Sequence, residues 1–375
     1  MHLFQLVACT VVFLLAVIAV TAVVPDNARA TPAYAYGDVV EVAPDVLLVI
    51  GRPLDFAKRE VDVANAVFYK SGSTLVVVDT GGTAGFVPFL DAAAARLRPY
   101  DKVLLVSSHG HADHVGNNNW IDTLGVPARH VMSLHDLAAM RDQVGYFAAG
   151  FDEAAPYLAD MPSGRAYAQE IVDLFGGLHV ESRSLTLLES LPLESVTIGS
   201  TAWNGWRLLD GAVLVLRTSG HTAGHVAVFL PGPKVLHLAD ETTGFYQTFP
   251  DARPAANLLS LQRAVNALKA GAVTAVTDGH SFAVHRGDEA VAYLTGLTDA
   301  AIAFDAAVTR ILKENPKGIT IPKLVSQVGR APELADAPGG ANAVPVFSYM
   351  EVMNKLRELG VGLPAKPMAP VSFPD

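Results

Sequence analysis

The chain has 375 residues, of which 51% are hydrophobic and 17% charged, a composition that allows a large buried core and excludes wholesale disorder. Its formal net charge of −10 disfavours a nucleic-acid partner, because an acidic surface repels phosphate. The single cysteine, Cys9, excludes internal disulfides and thiolate metal clusters, so any metal must be bound by His and carboxylate side chains.

The first 30 residues predict an export signal. Residues 3–24 carry no charge, and Ala28-Arg29-Ala30 matches the A-x-A cleavage pattern. We therefore expect cleavage after Ala30 and a protein that is periplasmic or secreted. The uncharged run is also long enough to span a bilayer, at about 33 Å for a rise of 1.5 Å per residue, so an uncleaved membrane anchor is the alternative.

The body of the chain begins with apolar runs that predict strands. The predicted strands cover residues 39–42, 46–50, 66–69 and 75–78. The last of them ends at the turn sequence Asp79-Thr80-Gly81-Gly82, and apolar side chains at helical spacing then predict a helix over 85–98. A further buried strand is expected at 103–106.

Residues 131–206 are expected to form a helical insertion. Ser133 and Asp136 have the spacing of a capping box, and apolar residues at intervals of three and four predict one amphipathic helix from there to Phe151. Strands are expected to return at 213–216, 226–230, 235–238 and 273–277. We therefore expect a domain over 31–286 that includes the insertion, followed by a helical extension over 287–375.

Four side chains of metal-ligand type fall within six residues after the strand predicted at 103–106. They are His109, His111, Asp113 and His114. Buried imidazoles and carboxylates each need a partner, so four of them together cannot be ordinary core groups. The cluster predicts a metal site, and the alternative is a solvated loop that happens to be rich in histidine.

This H-x-H-x-D-H pattern resembles the signature of the metallo-beta-lactamase fold superfamily, and later segments continue the resemblance in order. They are Ser219-Gly220-His221-Thr222-Ala223-Gly224-His225, Leu238-Ala239-Asp240 and Gly279-His280, while Asp79 matches a buried structural aspartate of the family. The resemblance covers residues 38–285. It implies an α/β fold, a four-layer αββα sandwich, with the helical insertion and C-terminal helical extension added. Asp240 resembles the bridging aspartate of the lactonase and glyoxalase-II-like branches.

The resemblance also implies a site with two metal ions. One ion would be held by His109, His111 and His221, the other by Asp113, His114 and His280, with Asp240 bridging both. We expect two Zn²⁺, and Fe or Mn is compatible with the same donors. A hydroxide bridging the metals would be the nucleophile, because bound metals lower the pKa of water to about 7. Asp113 would be the catalytic residue that orients it and later carries a proton.

The function implied is that of an exported dinuclear zinc hydrolase that attacks an activated acyl bond in a small molecule: a lactone, thioester, ester or amide. The alternatives are a β-lactamase, an iron-dependent sulfur dioxygenase on the same fold, and a non-catalytic binding protein. Neither a nucleic-acid partner nor, once the leader is cleaved, a membrane partner is expected. The sequence leaves the oligomeric state open.

Aromatic residues are concentrated in the predicted insertion, between two metal motifs. They are Tyr146, Phe147, Phe151, Tyr157, Tyr167 and Phe175. One interpretation is a lid that favours a substrate with an apolar acyl or alkyl group. The other is that these rings only pack the helices of the insertion against the body.

Several polar residues near the motifs also have two interpretations. His225 can support a metal ligand or be a structural histidine, and His237 is expected to be structural because it alternates with leucines on a strand. The side chains of Asn117, Asn118 and Asn119 can line the site or form a turn.

Overall fold

Two seven-stranded sheets form the centre of the molecule in a computed structural model, which describes residues 34–373 apart from 56–57, 159–160, 244–248 and 335–344. The leader predicted for residues 1–30 lies outside the described residues. The sheets pack against each other through a shared apolar layer that contains Leu48 and Val76 from one sheet and Val215 and Val228 from the other.

The first sheet takes its strands in chain order. These are β1 Val39–Ala43, β2 Val46–Val49, β3 Ala66–Ser71, β4 Thr74–Val78, β5 Lys102–Val106, β6 Ala128–Met132 and β7 Leu185–Leu187. Strands β1 to β4 are antiparallel to their neighbours, and β4 to β7 run parallel. Both faces are buried, since Val46 and Leu48 face the other sheet while Leu47 and Val49 belong to the outer core.

The second sheet contains the later strands in the spatial order β14 to β8. These are β8 Glu194–Ile198, β9 Thr201–Leu208, β10 Val213–Arg217, β11 Val226–Leu230, β12 Val235–His237, β13 Ala275–Thr277 and β14 His285–Arg286. Its strands are antiparallel except for β12 and β13, which run parallel. Strands β10, β12 and β13 therefore point in one direction.

Helices cover the outer face of each sheet. The described helices are α1 Val87–Arg96, α2 Ala112–Val115, α3 Leu137–Arg141, α4 Gln143–Ala154, α5 Gly164–Asp173, α6 Pro254–Lys269, α7 Gly287–Glu314, α8 Ile321–Val328 and α9 Pro345–Glu358. Leu90 of α1 packs on the first sheet, and Leu261 of α6 and Leu294 of α7 pack on the second. The four layers confirm the predicted αββα sandwich.

A separate helical core lies beside the sandwich. Phe151 of α4, Phe304 of α7, Leu324 of α8 and Met350 of α9 are buried together in it. By length and composition α7 could cross a membrane. Its first half packs on the second sheet, however, and its second half packs in this helical core. Such packing along the whole helix is typical of a core helix. The predicted C-terminal helices are confirmed, and a short pair of strands, β15 Ile319–Thr320 and β16 Pro370–Val371, accompanies them.

The region 131–206 differs from the helical insertion expected there. The single helix predicted up to Phe151 is broken at Asp142 (φ −130°, ψ 72°), whose carboxylate caps α4 by accepting a hydrogen bond from Gly145 N at 2.8 Å. The second half of the region is not helical, because β7, β8 and β9 complete the two sheets. Residues Val196 and Trp203 of the β8–β9 hairpin are buried on one face, a period of two that the helical interpretation of this region overlooked.

Candidate metal centre

The candidate site lies where several strands of both sheets end. Strands β4 and β5 run parallel in one sheet and β10, β12 and β13 point in one direction in the other, so the loops that follow them gather at one edge. The backbone N–H of Val226 donates to Ser108 O at 2.8 Å and joins the two sheets there. The loop and helix α2 after β5 carry the H-x-H-x-D-H pattern, and the other site residues follow β10, β12 and β13.

One group of four side chains comes from three of these loops. It contains His109, His111, His221 and Asp240, and we call it group 1. One ligand atom from each residue lies within 4.8 Å of the others. Nε2 of His221 is 3.1 Å from Nδ1 of His111, and Asp240 Oδ2 lies 3.6 Å from His221 Nε2 and 3.9 Å from His109 Nε2.

A second group shares Asp240 with the first. It contains Asp113, His114, Asp240 and His280, and we call it group 2. Asp240 Oδ1 is 3.1 Å from His114 Nε2, and Asp113 Oδ2 is 3.2 Å from His280 Nε2. The seven side chains that the sequence analysis singled out are therefore brought together in space, with Asp240 between the two groups.

These groups fit divalent cations by spacing and by donor type. A tetrahedral ion with ligands at about 2.1 Å has neighbouring ligand atoms about 3.4 Å apart. The five distances given above run from 3.1 to 3.9 Å, and all ligand atoms of a group lie within 4.8 Å of one another. Among the described residues, the buried atom His109 Nε2 has no hydrogen-bond partner. A buried polar atom without a partner is costly, and a cation would satisfy it.

Asp79 orients histidines of both groups. It follows β4 with φ 60° and is fully buried. Its Oδ2 lies 2.8 Å from His114 Nδ1 and accepts a hydrogen bond from Ser108 Oγ at 2.7 Å, while Ser108 Oγ lies 3.0 Å from His109 Nδ1. A proton on each Nδ1 then has an acceptor, which leaves Nε2 of His109 and His114 free to bind metal. The buried structural role expected for Asp79 agrees with this geometry.

Glu241 supports the other side of the centre, and the sequence analysis missed it. This fully buried carboxylate accepts hydrogen bonds from Gly220 N at 2.9 Å and from Asn257 Nδ2 at 2.7 Å, and it lies 3.1 Å from His225 Nδ1. Nε2 of His225 in turn accepts from the backbone N–H of Asp240 at 3.1 Å. Of the two interpretations of His225, the structure favours support of a metal-ligand residue.

Asp62, also missed from sequence, lies behind His280. Its Oδ1 is 3.2 Å from His280 Nδ1, so it can orient the imidazole as Asp79 orients His114. Gly279 allows His280 to approach, because a Cβ there would lie 2.2 Å from Asp240 Oδ1. A sequence signal for Asp62 is lacking, since it is 218 residues from His280 along the chain.

The charges of the centre suit a cation. Burial lowers the pKa of His109 and His111 well below the usual range and that of His221 to about 4, so these imidazoles are neutral donors. Burial alone would lower the pKa of His114 and His280, but the carboxylate of Asp240 raises both values well above the usual range. A metal ion in group 2 would replace the protons that these two imidazoles otherwise hold.

Three aromatic rings line the side of the centre next to His111. The ring centroids of Tyr146, Phe147 and Phe249 lie 5.3, 5.5 and 5.1 Å from that of His111, and we call the three the aromatic wall. The Tyr146 hydroxyl donates to Asp251 Oδ1 at 2.7 Å, so the polar end of this ring has a partner of its own.

Other aromatic residues of the predicted lid have a packing role. Phe151 and Tyr167 contact each other in the helical core, and Tyr157 stacks on Tyr349. Phe175 packs with Val61 and with Ala112 of α2. The lid interpretation is therefore supported for Tyr146 and Phe147, whose rings lie beside His111. Phe249, which sequence reasoning did not single out, completes the wall.

The remaining polar candidates are structural. Asn117 donates hydrogen bonds to the carbonyls of Thr80 and Thr83, and Asn118 contacts Thr80 and Ser107, so both join buried loops instead of lining the centre. His237 is buried on β12 with Nδ1 3.0 Å from Thr277 Oγ1, as expected.

Comparisons with known proteins agree on one family. Residues 59–280, more than half of the chain, match the family model of the metallo-beta-lactamase superfamily. No match is found among curated sequences, so solved structures provide the other comparison.

Several solved structures have the same fold. A metallo-beta-lactamase family protein from Thermus thermophilus is 18% identical, with TM-score 0.58, over 89% of this chain and 100% of its own. A beta-lactamase domain protein from Burkholderia ambifaria is 20% identical, with TM-score 0.58, over 92% and 96%. The inverting sec-alkylsulfatase Pisa1 from Pseudomonas sp. is 19% identical, with TM-score 0.53, over 86% of this chain and 50% of its own. At such identities the likeness shows the fold and leaves the substrate open.

Proposed function

The chain belongs to the metallo-beta-lactamase superfamily, and from this premise we propose that it is an exported dinuclear zinc hydrolase that cleaves an activated acyl bond in a small, uncharged substrate. One observation carries the proposal: two groups of four ligand-type side chains share the carboxylate of Asp240. A shared carboxylate would let the two groups hold a pair of cations, which would suit a reaction that must stabilise both an attacking and a leaving atom.

Zinc is proposed from the donor set. Three imidazoles and a carboxylate in group 1, and two of each in group 2, are donors that zinc accepts in four-coordinate sites. Zinc ions bound there would lower the pKa of a water molecule to about 7 and polarise the acyl oxygen of the substrate.

Asp113 is the residue that we propose to move a proton. Its Oδ2 faces the imidazoles of His280 and His114 at 3.2 and 3.5 Å, and among the described residues its Oδ1 makes no hydrogen bond. Although burial acts in the opposite direction, His114 and His280 lower the pKa of Asp113, so the carboxylate is ionised and can accept a proton. Its side chain is 15% exposed and that of His280 19%, against 0% for His109 and His114, so substrate is expected to approach from this side.

The substrate class is proposed from what surrounds the centre. The aromatic wall offers an apolar surface next to His111, which suits an acyl or alkyl group. A neutral lactone, thioester or ester with such a group therefore fits the wall better than the carboxylate of a β-lactam or a sulfate ester, because a charged group loses hydration against apolar rings.

Export remains a proposal that rests on the leader sequence. The uncharged run of residues 3–24 and the A-x-A pattern ending at Ala30 support it. Expression of the full chain in a bacterial host, followed by fractionation and N-terminal sequencing, tests it: we expect a periplasmic or secreted protein that begins at Thr31. A full-length chain in the membrane fraction would instead favour the anchor.

The function is tested by metal analysis together with a substrate panel. We expect two zinc ions per chain and turnover of neutral lactones, thioesters or esters, with less or no turnover of β-lactams, phosphodiesters and sec-alkyl sulfates. Purified protein that contains iron and oxidises a persulfide would replace hydrolysis by sulfur dioxygenation. Full turnover by a chelator-treated, metal-free preparation would overturn the proposal.

A further inference from the structure

Asp136 joins two of the loops that form group 1. Its side chain is buried, with 1% exposure, and it lies in a short 3-10 helix directly before α3. Oδ2 accepts hydrogen bonds from Thr222 Oγ1 at 2.6 Å and from Gly110 N at 3.2 Å, and Oδ1 accepts from Gly224 N at 3.0 Å. One carboxylate therefore binds the loop after β5 and the loop after β10.

Two of the three donors lie directly next to ligand-type residues of group 1, and Gly224 lies three residues after His221. Gly110 separates His109 from His111, and Thr222 follows His221 directly. Nδ1 of His111 and Nε2 of His221 are 3.1 Å apart although 110 residues separate them. A hydrogen-bonded link between their loops restrains that distance.

The packing around the carboxylate is as close as glycine allows. A Cβ on Gly224 would lie 2.7 Å from both Cγ and Oδ1 of Asp136, and a Cβ on Gly110 would lie 2.5 Å from the backbone oxygen of Asp136. The carboxylate thus has little freedom to move away from its three donors.

Group 2 is supported by different residues. His114 is held by Asp79, and Asp62 lies behind His280, while no hydrogen bond or ion pair of the described residues connects Asp136 to Asp113, His114 or His280. Loss of the Asp136 carboxylate should therefore affect group 1 and spare group 2.

We propose that Asp136 is a positioning residue that sets the spacing of His111 and His221 for metal binding in group 1. The inference rests on the proposed metal centre and goes beyond it, because it assigns a selective role to a residue that is not itself a ligand. Support of this kind contributes about 10- to 100-fold to metal affinity in other proteins.

The test measures each group by itself with Co²⁺ as the probe. In a His280→Ala background, Co²⁺ titration followed by its visible absorption reports on group 1, and in a His111→Ala background it reports on group 2. Asp136→Asn is introduced into both, because asparagine keeps the size but has one acceptor oxygen for three donors. Glu351→Gln is the matched control: it converts another buried carboxyl group, in α9, to an amide.

We expect Asp136→Asn to weaken Co²⁺ binding about 10- to 100-fold in the His280→Ala background. In the His111→Ala background the change should stay within about twofold, the scatter of independent sites. Glu351→Gln should change neither affinity. The second variant, Gly224→Ala, displaces the carboxylate from the other side and should give the same selective loss even if Asp136→Asn folds poorly.

The possible failures are distinguishable. If Asp136→Asn and Gly224→Ala leave the group 1 affinity unchanged, the positioning role is wrong and the metal centre stands. If both variants weaken the two groups equally, Asp136 supports the fold as a whole and the selective role is overturned. If the wild-type chain binds no Co²⁺ or Zn²⁺, the proposed function falls and this inference with it.

Discussion

Replacing Ser108 with alanine should weaken metal binding in group 1 and spare group 2. The hydroxyl of Ser108 donates to Asp79 Oδ2 at 2.7 Å and lies 3.0 Å from His109 Nδ1, while its contact with His114 Nδ1 is longer, at 3.4 Å. His114 contacts Asp79 directly, with Nδ1 2.8 Å from Oδ2. Ser108→Ala therefore leaves the proton on His109 Nδ1 without an acceptor and keeps the contact between Asp79 and His114.

The size of the effect follows from the burial of His109, which is 1% exposed. A buried donor left without a partner costs about 1–3 kcal/mol, and each 1.4 kcal/mol is a factor of about ten in affinity. We expect a loss of about 5- to 150-fold in group 1. Asp79→Asn, which leaves one acceptor oxygen for several donors, should weaken both groups by a similar factor.

The assay is the Co²⁺ titration in the His280→Ala and His111→Ala backgrounds. Ser260→Ala is the matched control, because Ser260 is also buried but its hydroxyl donates only to the carbonyl of Ala256 within α6. Unchanged affinity of group 1 in Ser108→Ala would refute the argument that this hydroxyl orients His109. An equal loss in both groups would show that Ser108 acts on Asp79 instead.

Four further variants, with Tyr157→Ala as a control, probe the ligands, the aromatic wall and the helical core. Asp240→Ala and His111→Ala should each abolish turnover and lower the metal content measured by elemental analysis, since each removes a donor from the centre. Phe147→Ala should raise KM most for long acyl chains, by about fourfold for each methylene no longer packed, at about 0.8 kcal/mol each, whereas Tyr157→Ala, distant from His111, should not change chain-length preference. Glu351→Gln should raise Tm at pH 8 but not at pH 4. Burial raises the pKa of Glu351 well above its usual range, so above about pH 4.3 only the unfolded chain releases this proton. The stability of the wild-type chain therefore falls as pH rises, whereas glutamine has no proton to release.

Local sequence predicted most of the strands and the first metal motif, and the family resemblance implied the sandwich and the remaining residues of the centre. Continuous apolar runs predicted most strands correctly, because strands whose two faces are both buried carry apolar side chains at nearly every position. The H-x-H-x-D-H pattern is dense enough to stand out without a structure, and the order of the later motifs added His221, Asp240 and His280. That these residues bind metal stays a prediction.

The supporting residues were decided only by the tertiary structure. Asp136 has the spacing of a helix cap with Ser133, yet its carboxylate binds donors 26, 86 and 88 residues away along the chain. Glu241 follows Asp240 directly, yet its carboxylate binds Gly220 and Asn257, 21 and 16 residues away, and Asp62 lies 218 residues from His280. A short-range pattern reports which face of an element is buried, but it does not report which polar groups of distant loops meet there.

The aromatic residues of α4 also show which features sequence predicts and which only packing decides. Tyr146, Phe147 and Phe151 share one helix and one residue class, and the sequence predicted only that such rings would be buried or would line a site. The break at Asp142 sets the direction of α4, and that direction places two rings beside His111 and the third in the helical core. Helical periodicity determines which residues share a face, whereas packing against the rest of the chain determines what that face touches.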